Sequence, residues 1–530
     1  MNIKVTKVRL IITLLLVTVV ASLVGVNETT NAQVAIESTS INWQTCPEFD
    51  QPSGDLECGQ LRVPLNYQQP SGTKIDVAVS RLKARKPQLR RGVILLNPGG
   101  PSGQGFDMPL WMSELMPQSV LDRYDLIGFD PRGVGRSAPV SCGLTAEQSL
   151  QIAPPLMQPG GFDATAVFMK QVADSCKATS GNRLPYMNTA NTARDMDMIR
   201  QALGESKISY FGYSYGTYLA AVYASLYPNN TDRFVLDSST NARAAWRELF
   251  RSWGQADYVR FPDFAKFLVD NEADYHMGST QQEVRNTYFQ LLHQVEQHPI
   301  PLSDGSVING PWFRVLTFAG LYSDNYFTDT ANFWSFVKDQ QTGPELQTVV
   351  NSLRPQLSFP AVPDDNGGAS ANAVLCGDSY WSRVPLQYRI ELSVDTMLYP
   401  MFGELGSNIW PCAFWQNPVE SPVPVTSNGP NNKILIVQNQ RDPATPYANA
   451  QEMRATLGNR ARLVTVVQGG HGASYGERNE CAKETVTNYF VAGTYPASDS
   501  TCPSEENNFA ATKSSQAEKN AMRHLHHQMW

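Results

Sequence analysis

The sequence predicts an α/β fold: a mostly parallel sheet covered on both faces by helices and interrupted by one large helix-rich insertion. Three observations predict it. Short apolar runs recur at Val93–Leu96, Tyr124–Phe129, Ile208–Phe211, Phe234–Leu236, Ile434–Val437 and Leu463–Val467, each the length of a buried strand. Helix-patterned stretches, Thr192–Leu203 and Thr217–Leu226, alternate with them, and that rhythm means βαβ units. About 200 residues then separate Leu236 from Ile434, where a crossover needs only a dozen or so.

At 530 residues the chain exceeds one ordinary core. Residues 1–33 read as a targeting segment, 34–240 as the first part of the core, 241–428 as the insertion, 429–503 as the second part of the core and 504–530 as a polar tail. Lys4, Lys7 and Arg9 precede an apolar run from Leu10 to Val26, and Thr30-Asn31-Ala32 offers a small-residue cleavage point. The segment is expected to be a signal peptide, or a single-span anchor if it is retained. Either way the body is expected outside the cytoplasm, secreted or in the cell envelope, with membrane contact only through an uncleaved segment.

Eight cysteines fit that compartment: Cys46, Cys58, Cys142, Cys176, Cys376, Cys412, Cys481 and Cys502. Eight allow 105 pairings. Neighbour-to-neighbour pairing closes only short loops within single regions, so Cys46–Cys58, Cys142–Cys176, Cys376–Cys412 and Cys481–Cys502 are expected. No two cysteines have C-x-x-C spacing, which argues against a metal site. A net charge of −7 gives no electrostatic case for nucleic acid.

The chemistry concentrates where strands end. The run ISYF leads into Gly212-Tyr213-Ser214-Tyr215-Gly216 and then a helix. Two glycines allow the sharp, strained corner that lifts a serine hydroxyl off the sheet, and the helix aims its N-terminal amides at the same place. After Ile434–Val437 comes QNQRDPATP, which puts Asp442 in a loop; after Leu463–Val467 comes QGGHGASYG, which puts His471 in another. Ser214, Asp442 and His471 follow one another in the α/β-hydrolase order. Of seven histidines, only His471 stands at a strand end. The glycine loop LLNPGGPSGQG after the strand Val93–Leu96 is expected to supply a second oxyanion donor, Gly100, to join the amide of Tyr215. Gly133-Val-Gly135-Arg-Ser-Ala138 matches a loose dinucleotide pattern but does not run straight into a helix and has no acidic residue about 20 positions on, so no nucleotide cofactor is expected. The sequons at Asn27 and Asn229 carry meaning only in a eukaryotic secretory host.

GYSYGTYLA, LLNPGGPSGQG, FDPRGVGRS, QRDPATP and GGHG, with the early CGQLRVPLNY and the cysteine pair after the histidine, together resemble the exported tripeptidyl aminopeptidase branch of the prolyl aminopeptidase family. The resemblance runs from about residue 45 to 503. It implies an α/β-hydrolase core with a cap inserted after the sixth strand, and release of short peptides or single residues from free N-termini. It places Ser214, Asp442 and His471 on the family's triad and Gly100 and Tyr215 on its oxyanion hole. The loop opens Asn97-Pro98 where prolyl aminopeptidases carry histidine, which favours the tripeptidyl branch.

The expected reaction is acyl transfer without metal or cofactor: Ser214 attacks, His471 moves the proton and Asp442 orients the imidazole. A peptide with a free N-terminus also needs a poorly solvated carboxylate for its ammonium. Asp378, beside Cys376, and Glu404, in FGELG, are the cap candidates. An esterase or lipase would use the same triad without that anchor. A catalytically dead relative would bind partners at a surface.

Overall fold

A computed structural model describes residues 40–46, 55–243, 245–354, 362–431, 433–475, 479–505 and 520. The targeting segment and nearly all of the polar tail lie outside them.

The strands are β1 (Gln44–Thr45), β2 (Leu56–Pro64), β3 (Lys74–Leu82), β4 (Gly92–Asn97), β5 (Tyr124–Phe129), β6 (Ile208–Tyr213), β7 (Thr231–Asp237), a hairpin of β8 (Ile300–Pro301) and β9 (Val307–Ile308), then β10 (Ile434–Arg441), β11 (Ala461–Gly469) and β12 (Ser500–Cys502). Ten of them form one sheet in the order β1-β2-β3-β5-β4-β6-β7-β10-β11-β12. The pairs β1/β2, β2/β3 and β3/β5 are antiparallel and the rest are parallel. This is the α/β-hydrolase architecture. All six expected strands are present. Their parallel pairing buries both faces, which is why they read as continuous apolar runs. β2 and β3 were not legible that way. β2 alternates buried and exposed residues, as an antiparallel strand near a sheet edge does.

On one face, Ile94, Leu96, Phe211, Val235, Leu435, Val437 and Val464 pack with helices Met108–Leu115 and Glu480–Ala492. The insertion follows β7, the sixth of the long strands. Apart from the β8/β9 hairpin its described elements are helical, the longest being Trp253–Asp270 and Gln281–Gln297. Three of its tryptophans, Trp246, Trp334 and Trp410, are almost fully buried, Trp246 against Tyr215 and Tyr218 of the core. Trp334 packs against Phe261, Phe264, Tyr288 and Phe313.

The segment between β5 and β6 carries helix Phe162–Ser180 and forms the seat of the cap. The Asp365 carboxylate accepts the amides of Cys142 (2.7 Å) and Leu144 (3.0 Å). The Asn366 side chain accepts from the Gly135 amide and donates to the carbonyls of Gly133 and Val140. The GVGRSA stretch is thus a docking turn. Gly135 has φ +53°, and a Cβ there would come within 2.4 Å of the Asp130 carboxylate. All four expected disulfides are formed. Cys142–Cys176 closes a loop inside the seat; Cys376–Cys412 joins helix Asn366–Asp378 to the end of the cap.

Removing Cys142–Cys176 by a double serine substitution is expected to cost about 3–4 kcal/mol, from the length of the loop it closes. Chemical denaturation measures this. An unchanged midpoint would show that the seat is held by its hydrogen bonds alone.

Candidate active site

Ser214 stands between β6 and helix Tyr215–Leu226 with φ +53° and ψ −123°, a region that non-glycine residues avoid. The two glycines around it have distinct steric reasons. A Cβ on Gly212 would meet the Tyr210 ring at 2.6 Å. One on Gly216 would meet Asn97 Oδ1 at 2.7 Å. Asn97 also receives the Gly99 amide on that oxygen (3.1 Å), folding the glycine loop back over the corner. A Cβ on Gly99 would lie 3.0 Å from that of Ser214, so the loop backbone touches the serine directly. Among the described residues neither the Gly100 nor the Tyr215 amide donates to another protein group.

Asp442 follows β10 and His471 follows β11. Nδ1 of His471 lies 2.9 Å from each carboxylate oxygen of Asp442. Both residues are buried. The carboxylate is fixed by the amides of Ala444 (2.9 Å) and Thr445 (2.8 Å), the Thr445 hydroxyl (2.9 Å) and the Gln438 amide (3.1 Å). Among the described residues, His471 Nε2 has no hydrogen-bond partner. With Nδ1 committed to Asp442, Nε2 is the nitrogen available for a proton from a nucleophile.

Asp237, the last residue of β7, was not singled out in the sequence, yet it joins the two halves of the site. Its carbonyl accepts the Ser214 amide (3.1 Å). Its carboxylate accepts the Ala473 amide (2.7 Å), the Ser474 amide (2.9 Å) and the Ser474 hydroxyl. Ser238, at φ +59°, takes the Gly472 amide on its hydroxyl (2.7 Å). The Asn439 side chain donates to the carbonyls of Gly470 and Gly472. The histidine loop is therefore held from β7 and β10 together. Its visible signal was the polar VLDSST at a strand end in an otherwise apolar run.

The cap closes over these loops. Trp253 Nε1 donates to the Ala444 carbonyl (2.8 Å). The His471 amide donates to the Tyr322 carbonyl (2.6 Å), and the Tyr322 ring meets the imidazole edge-on at 5.2 Å. Asp257, one turn beyond Trp253, is fully buried with no hydrogen-bond partner for either oxygen among the described residues. Burial, reinforced by the charge of Asp442, pushes its carboxyl well above the usual range.

The two anchor candidates are placed differently. Asp378 is buried and accepts the Thr189 amide (2.7 Å), the Thr189 hydroxyl (2.6 Å) and Trp246 Nε1 (3.3 Å). Thr189 Oγ1 also lies 2.6 Å from the Tyr215 hydroxyl, so this acid is linked to the corner. Burial raises Asp378 to about 7 against its hydrogen bonds. Glu404 faces Arg314 at 3.7 Å among the cap's own groups, and among the described residues no hydrogen bond joins it to the corner or to the two loops. Among the described residues no three His, Cys, Asp or Glu side chains gather as a metal-binding group.

A ten-stranded α/β-hydrolase sheet with a strained serine corner and a buried Asp–His pair at neighbouring strand ends defines a serine hydrolase. The family described as TAP-like protein matches residues 399–502. A tripeptidyl aminopeptidase of Streptomyces lividans is 33% identical over 87% of this chain and 86% of its own length. The serine protease Hip1 of Mycobacterium tuberculosis is 28% identical over 87% and 91%. A carboxylesterase B of the same species is 30% identical over 90% and 92%. The chain belongs to the tripeptidyl aminopeptidase-like family of α/β-hydrolases and is a serine hydrolase of the aminopeptidase type.

Asp237→Asn is expected to lower kcat about 100-fold with little change in KM, because its amide cannot accept both loop N–H groups and the imidazole loses its alignment. Steady-state kinetics with a thermal-melt control tests this. A kcat within threefold of wild type would show that Ser238 and Asn439 suffice. A second expectation concerns pH. Asp130 and Asp237 are raised by burial to about 6 and Asp378 to about 7. The unfolded chain gives up these protons near pH 4 while the folded chain keeps them, so their contribution to stability is full below pH 4 and is lost as pH rises to 6–7. Asp378→Asn should make the fall in denaturant midpoint between pH 5 and 7.5 shallower than in wild type; an identical slope would contradict the assignment.

Proposed function

We propose that this protein is an exported serine exopeptidase that releases short peptides, tripeptides above all, from free N-termini. The observation that carries the reading is the strained Ser214 corner, tied through Asp237 to the loop that holds His471 against Asp442. In this mechanism Ser214 attacks the scissile carbonyl while His471 Nε2 takes its proton. The amides of Gly100 and Tyr215 receive the oxyanion, and His471 returns the proton to the leaving amine. Water then repeats the cycle on the acyl-enzyme. Asp442 keeps the imidazole in the tautomer with its proton on Nδ1 and stabilises the charged form.

Asp378 is the anchor for the substrate ammonium in this reading. It projects from the cap helix Asn366–Asp378 and connects to Tyr215 through Thr189, and an ammonium entering an apolar enclosure needs a buried carboxylate to offset lost hydration. The four disulfides and the N-terminal targeting pattern support export. The similarity to a carboxylesterase keeps one rival, an ester hydrolase using the same serine without an anchor.

Acetylating the N-terminus of a tripeptidyl amide is expected to lower kcat/KM by at least about 100-fold, the cost of leaving one buried charge unpaired. Asp378→Asn should shrink that free-over-acetylated ratio, and Glu404→Gln should leave it intact. Equal rates on free and acetylated substrates would replace the exopeptidase with an esterase or endopeptidase.

A further inference from the structure

Helix Pro385–Leu398 of the cap buries Tyr388, Leu392 and Asp395 and leaves a second apolar face exposed. Its two acids pair inward, Glu391 with Arg247 (2.7 Å) and Asp395 with Arg251 (2.8 Å), while Arg389 pairs with Asp163 at the surface. Five apolar residues point outward. Leu386 is 61% exposed, Ile390 56%, Val394 39%, Met397 73% and Leu398 56%. With Tyr380 and Val384 just before the helix, this stretch holds more than half of the exposed large apolar side chains among the described residues. Single exposed apolar residues are ordinary, but a contiguous stripe marks an interaction surface. The stripe is also rigid. The helix is pinned by its ion pairs, and the Cys376–Cys412 bridge lies just ahead of it.

We propose that this stripe is the interface for a second copy of this chain, joined by a two-fold axis that crosses the helix between Ile390 and Val394. The spacing is self-complementary about that point. An antiparallel copy sets Leu386 against Leu398 and Ile390 against Val394, and residues four apart form the ridge that helix pairs interdigitate. The charges agree. Of the two cations in residues 380–398, Arg389 is paired with Asp163 and only Arg383, bonded to the neutral Trp415 carbonyl and Asn417, keeps an uncompensated charge, so the face lacks a positive rim. An interfacial helix on anionic lipid depends on such a rim, and the whole chain carries −7. The area agrees too: seven side chains each roughly half exposed offer on the order of 600 Å², which a polar rim brings to the ~800 Å² per partner of a standard interface.

Sedimentation velocity of the mature protein between 1 and 100 μM tests this. Wild type is expected to be a dimer in that range, and Ile390→Glu to raise the dissociation constant about 100-fold, as charging the centre of an interface does. Met397→Glu, fully at the surface, should act in the same direction and guards against a folding defect at position 390. A monomeric wild type at 100 μM, or a dimer that survives both substitutions, overturns the proposal. So does a wild type that floats with phosphatidylcholine–phosphatidylglycerol vesicles through Ile390 and Met397 while staying monomeric in solution, since lipid would then be the occupant.

Discussion

One residue, Asp237, ties the strained serine corner to the histidine loop. A serine at φ +53° is unfavourable by itself and persists only where its surroundings fix it. Here the Asp237 carbonyl holds the Ser214 amide, and the carboxylate of the same residue holds Ala473 and Ser474. The corner and the histidine loop, distant in sequence, are thus set by the end of one strand. Burial raises this carboxyl to about 6, the energetic cost of placing an acceptor with no counter-cation in the core.

The chain leaves the core just after this residue to build the cap and returns at β10. The cap then presses back on the loops it brackets. Trp253 reaches the Ala444 carbonyl in the aspartate loop, Tyr322 covers His471, and Arg441 pairs with Asp263 of helix Trp253–Asp270 (2.8 Å). Core and cap together bury the Asp442–His471 pair. In such a site each hydrogen bond to Asp442 counts for more than it would in solvent. Asp257 sits in this junction with no donor reaching either of its oxygens among the described residues.

The parallel strands, the serine corner and the two loops that follow β10 and β11 were readable because each obeys a local rule. Buried parallel strands are apolar throughout, a strained corner demands glycines, and functional loops follow strand ends. The disulfides were readable because short closures are the simplest pairing. β2 and β3 were not, since half-buried antiparallel strands mix polar and apolar residues. Asp237, Thr445 and Asp257 were not, because their roles depend on partners far away in sequence. The two anchor acids looked alike as sequence, and only packing separates Asp378, linked to Tyr215 through Thr189, from Glu404, facing Arg314. The GVGRSA glycines carried a local signal whose cause, the seat for Asn366, is again distant.

The central claim is that the hydroxyl at this corner is the attacking group. Reaction of the folded protein with a fluorophosphonate, followed by peptide mass spectrometry, tests it most directly. The account predicts a single stoichiometric adduct on Ser214 that disappears when the protein is unfolded before labelling. An adduct on a different residue, or a folded protein that does not react, would contradict it.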